Sequence, residues 1–208
     1  MSTQHTLETL KETSILGFKG ILKILGYKKI FFSTWVELVS LFLSIAICAI
    51  CFIFKVNYYD ILVDFKTIMI NFLPTIIGFT LAGYSLVVGF VQAGMLNKIT
   101  EPTKKDIDNF SLYQKMSAGF GMNIILQTVA LVIAFLVHFI IFIDDKNYTF
   151  TIDDELYIAI INFIGVFIIS YCFFLSLFLT IQTVLNIFGF SQLHQYLINK
   201  EKINTEDK

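Results

Sequence analysis

The chain has 208 residues, 56% of them hydrophobic and 15% charged, with a formal net charge of -1. That balance leaves too little polar surface for a water-soluble domain of this size, and the near-neutral charge gives no general attraction for nucleic acid. All fifteen cationic residues are lysines, so the side chain best suited to bidentate phosphate or base contacts is missing as well.

Residues 1–14 are polar and no small-residue cleavage site stands out, so they read as a tail rather than a cleavable signal. In Ser14 to Ile30, SILGFKGILKILGYKKI, the residues Ile15, Phe18, Leu22 and Leu25 share one face while Lys19 and Lys23 sit a turn apart. This pattern predicts an interfacial amphipathic helix beside an anionic leaflet. Four apolar blocks follow, near 31–54, 67–93, 117–143 and 157–188. Each is long enough to cross about 30 Å of hydrocarbon as a helix, the state that satisfies its own backbone in lipid. The expected fold is therefore all-α: a polytopic membrane protein, a four-transmembrane-helix bundle with an N-terminal interfacial amphipathic helix. Its expected divisions are an N-terminal cytoplasmic segment over 1–30, the membrane domain over 31–190 and a cytoplasmic tail over 191–208.

Lysine placement orients the spans. Lys11, Lys19, Lys23, Lys28 and Lys29 precede span one; Lys98, Lys104, Lys105 and Lys115 separate spans two and three; Lys200, Lys202 and Lys208 close the chain. The other two loops carry Lys55, Lys66 and Lys146 among Asp60, Asp64, Asp144, Asp145, Asp153, Asp154 and Glu155. Both termini are thus expected in the cytoplasm, with the acidic loops facing the periplasm or the exterior.

Span one places Glu37, Ser40, Ser44, Cys48 and Cys51 on one stripe. Glu37 is the acid embedded in an apolar block, and burial of a carboxylate in lipid is costly. It is assigned an interfacial role beside Trp35 or a coupling role. Cys48 and Cys51 have C-x-x-C spacing but no charged partner, and with Cys172 they read as small membrane-helix residues rather than a disulfide framework.

Span two contains LPTIIGFTLAGYSLVVGF, Leu73 to Phe90, in which Thr75, Gly78, Ala82, Ser85 and Gly89 recur at intervals of three and four. Small residues in such a line let a second helix approach closely. They are assigned to helix packing, a pore wall being the other use of the same stripe. Pro74 is expected to kink the helix or mark its regular start.

Span three carries Asn123, Gln127, Ala130, Ala134 and His138 at intervals of four, three, four and four. Its polar members are candidates either for interhelical hydrogen bonds or for a polar path around a symmetry axis. Span four has a face of Asn162, Gly165, Ile169, Cys172, Ser176, Thr180 and Thr183, suited to meeting another helix. Four helices, each with a small or polar face, predict a compact bundle that self-associates.

The sequence has no phosphate loop, zinc spacing or nucleophile elbow, so no catalytic residue, metal site or cofactor is assigned and an enzyme is not expected. Asn147-Tyr148-Thr149 has sequon spacing, relevant to a eukaryotic secretory route only. Gly121-Met122-Asn123 matches the tripeptide of CorA-like magnesium channels, yet it opens span three rather than closing a span, and reads as chance.

The pattern of Pro74, Gly78, Phe79, Gly83, Tyr84 and Phe90, with the chain's size and four-span layout, resembles the membrane components of Kiwa-type bacterial phage-defence systems. The resemblance implies a homo-oligomeric inner-membrane sensor or scaffold that recruits or regulates a cytoplasmic effector protein. It carries over no functional residue. The implied partners are the phospholipid bilayer, further copies of the chain and that effector, with no direct nucleic-acid contact. An oligomeric ion channel or pore-forming effector is the alternative.

Overall fold

The computed structural model describes residues 17–26, 35–89, 110–145 and 155–206. The lysines 98, 104 and 105, the sequon, Phe90, Asp153 and Asp154 lie outside the described residues. Among the described residues there are five α-helices: α1 Gly17–Leu25, α2 Trp35–Ile53, α3 Tyr58–Gly89, α4 Leu112–Asp145 and α5 Glu155–Glu206. Helices α2 to α5 are long and apolar enough to cross a membrane, so the chain is an all-helical, four-span membrane protein.

Local chemistry sets several of the ends. Gly26 takes a left-handed φ of 78° and returns its N–H to the Leu22 carbonyl at 2.9 Å, which stops α1. The Asn57 side chain accepts the Tyr59 N–H at 3.0 Å and caps α3. This cap starts α3 at Tyr58, well before the apolar block expected from residue 67. Asp60 and Asp64 lower the hydropathy there without breaking the helix, because both are exposed. Lys66 is only 8% exposed and lies on the core stripe with Leu62 and Met69, its aliphatic stem packed among them. Helix α4 opens with a capping box: Ser111 N–H donates to Gln114 Oε1 at 2.9 Å, and Gln114 N–H donates to Ser111 Oγ at 3.2 Å.

The α2–α3 turn closes by the six-to-one and five-to-two bonds of a Schellman motif. Val56 N–H reaches the Cys51 carbonyl at 3.0 Å, and Lys55 N–H reaches Phe52 at 3.3 Å. Lys55 occupies the left-handed position, with φ 51°, where glycine is the usual residue.

Ring and glycine contacts fix the register. Tyr58 meets Phe163 and Phe65 meets Phe173, each edge-on, while Gly83 faces Ile187, so α3 and α5 run parallel. Tyr84 against Phe120 places α4 antiparallel to them. Trp35 packs edge-on against Phe178, so α2 is antiparallel to α5. Helix α5 touches α2, α3 and α4, and α3 also packs on α4; α2 is therefore a flanking helix on a three-helix core. Its inward stripe is Val36, Ser40, Ser44, Cys48 and Cys51, with Ser40 and Ser44 returning their hydroxyls to carbonyls one turn back.

Pro74 does not interrupt α3, which is continuous across it. At 52 residues, α5 is about 78 Å long, far more than about 30 Å of hydrocarbon. It runs unbroken past Phe190 to Glu206. On that side α1 packs against α4, where a side chain on Gly121 would begin 3.1 Å from Ile21 Cδ1.

Candidate functional site: a polar clamp across three helices

The polar residues of spans two, three and four converge. Gln127 is fully buried, and its amide bridges two neighbours. Thr80 Oγ1 of α3 donates to Gln127 Oε1 at 3.0 Å. Gln127 Nε2 donates to Thr180 Oγ1 at 3.2 Å and points at the Ser176 carbonyl at 3.4 Å, both on α5. One turn away, Asn123 Nδ2 donates to Thr183 Oγ1 at 3.1 Å and lies 3.4 Å from the Leu179 carbonyl. The hydroxyls also reach their own helices: Thr80 to Ile76 at 3.1 Å, Thr180 to Ser176 at 2.9 Å and Ser176 to Cys172 at 2.8 Å. A buried amide without partners would be expensive in lipid, whereas here both ends are used. The clamp fixes the three helices at one height and is chemically a joint.

His138 does not join it. The core face of α4 continues through Ala130, Ala134 and Ile141, and His138 is exposed. A four-residue step overshoots a full turn by about 40°, which carries His138 off that face. Within one chain the structure brings together Asn123 and Gln127, with Thr80, Thr180 and Thr183 as their partners, and leaves His138 outside the clamp.

The small stripe of α3 is placed on the outside of the chain. Thr75, Gly78, Ala82, Ser85 and Gly89 are all exposed, and no atom lies within 4 Å of a Cβ built on Gly78 or Gly89. The inward stripe is Leu73, Ile76, Thr80, Gly83 and Val87. It has the same three-four spacing, two positions earlier and so about 200° around the helix. Gly83, which is not among the residues of the small stripe, is the α3 glycine that meets a neighbouring helix. The available signal was its place on a line with Thr80 and Val87.

Glu37 is half-buried in the first turn of α2. The glycine and asparagine of the Gly121-Met122-Asn123 tripeptide serve packing against α1 and bonding to α5. Among the described residues no three His, Cys, Asp or Glu side chains are grouped to hold a metal ion. No protein-family model, curated protein or solved structure matches the chain.

Proposed function

We propose that the chain is a non-enzymatic, homo-oligomeric sensor or scaffold of the bacterial inner membrane that regulates or recruits a cytoplasmic partner. The observation that carries this reading is the outward stripe Thr75–Gly78–Ala82–Ser85–Gly89, which the fold of one chain leaves uncovered. In lipid, close helix approach along small residues is a main source of association. A second copy laid on α3 would use it. The lysine distribution supports cytoplasmic termini, and the stretch of α5 beyond Phe190 supplies a surface for a partner there. A role in phage defence rests on the resemblance of residues 74–90 and of the four-span layout.

Conduction loses its best residues in this reading, because Asn123 and Gln127 are occupied within one chain. The test is assembly in mild detergent. Gly78→Leu and Gly89→Leu should shift the purified protein toward monomer, while Leu86→Ile should not; equal assembly of all three disproves the seam. In liposomes the wild type should pass no ions under a gradient, and flux sensitive to Gln127→Leu would establish the channel instead.

A further inference from the structure

An open apolar groove of about 690 Å³ lies between α2 and α5. Its walls are Ile45, Cys48, Ala49, Phe52, Phe163 and Phe167, with Tyr58 at one end. A second, smaller hollow shares Phe52 and Tyr58 with it and continues to the α2–α3 turn, where Lys55 lines the wall. The result is an apolar slot leading to a cationic mouth.

We propose that this groove holds one phospholipid, an acyl chain lying in the slot and the phosphate at the mouth on the Lys55 ammonium and the Tyr58 hydroxyl. The site lies in the leaflet on the side of the α2–α3 turn. It stands on the four-span fold alone and not on the sensing role. Three observations support this occupant. A groove open to the side of a membrane-spanning chain is filled from the bilayer, and its walls are apolar for about two turns of α2, from Ile45 to Phe52. Lys55 complements a phosphate, and Asp60 is carried about 200° around α3 from Tyr58, away from the mouth. Lysine also stands at a left-handed position where glycine would be less strained, so its cation is held at the mouth against a backbone cost.

The experiment titrates dioleoylphosphatidylglycerol into the delipidated full chain in detergent and counts bound lipid by native mass spectrometry. The expected result is one tight lipid per chain. Lys55→Asn keeps a residue that tolerates the left-handed turn while removing the charge, and should weaken that lipid about fivefold. Ala49→Trp, which fills the slot, should weaken it at least as much, while Val132→Trp on the lipid face of α4 should leave it unchanged. Absence of a tight lipid in the wild type, or equal loss in Val132→Trp and Ala49→Trp, overturns the site. Loss of self-association in Ala49→Trp with unchanged lipid binding also overturns it, since a second copy would then be the occupant. Lys55→Asn keeps the test decisive if Ala49→Trp fails to fold.

Discussion

A Cβ placed on Gly83 would lie 2.6 Å from Cδ1 of Ile187. The two helices therefore approach through the absence of one side chain and the presence of one terminal methyl. The obstacle is the far end of a flexible, half-buried side chain and alanine favours the helix, so Gly83→Ala should cost at most about 1 kcal/mol. Ile187→Val removes the obstructing methyl, so the double variant should recover much of that loss. A double-mutant cycle in detergent measures the coupling; additive effects would show that Ile187 is not the obstacle.

The polar clamp should be worth less than its buried amide suggests. In Gln127→Leu, the Thr80 hydroxyl retains the Ile76 carbonyl and Thr180 retains Ser176, so no donor is orphaned. The expected loss is below about 2 kcal/mol, in line with interhelical hydrogen bonds in membranes. Gln127→Ala should cost more, because it adds a cavity to the lost bonds. Unfolding titrations of both variants give the ranking, and equal losses would place the stabilisation in the hydrogen bonds, which both variants remove.

At the α2–α3 turn, Lys55→Gly should raise stability by about 1 kcal/mol in lipid-free detergent, because glycine takes the left-handed conformation without a Cβ penalty. A thermal melt with a lower midpoint than wild type would count against strain at this position.

Ser111→Ala removes the hydroxyl that receives the Gln114 N–H at the start of α4. The expected cost is about 1 kcal/mol. Hydrogen exchange should accelerate in the first turn of α4 while α3 keeps its protection; a uniform increase would mean that the cap is not a local feature.

The four spans were legible in the sequence because a bilayer demands apolar blocks of a set length, and so was the polar face of span three around Asn123 and Gln127. Their partners were not, since Thr80, Thr180 and Thr183 become distinctive only when three helices share a register. The early start of α3 was hidden because Asp60, Asp64 and Lys66 depress hydropathy, while the Asn57 cap and the buried Lys66 stem extend the helix regardless. The two α3 stripes through Gly83 and Gly78 carry identical spacing, so periodicity alone could not say which one faces inward. That choice depends on Ile187, more than a hundred positions later in the chain. His138 falls outside the clamp for a simpler reason: a run of four-residue steps drifts around a helix.

Helix α5 contains no proline, continues unbroken for 52 residues and packs on each of the other three spans. It is the axle of the molecule. A twist applied to it near Tyr157 turns the surfaces under α2, α3 and α4 together and emerges beyond Phe190 as rotation of the same rod. One continuous backbone thus joins the surfaces under α2, α3 and α4 to the stretch beyond Phe190.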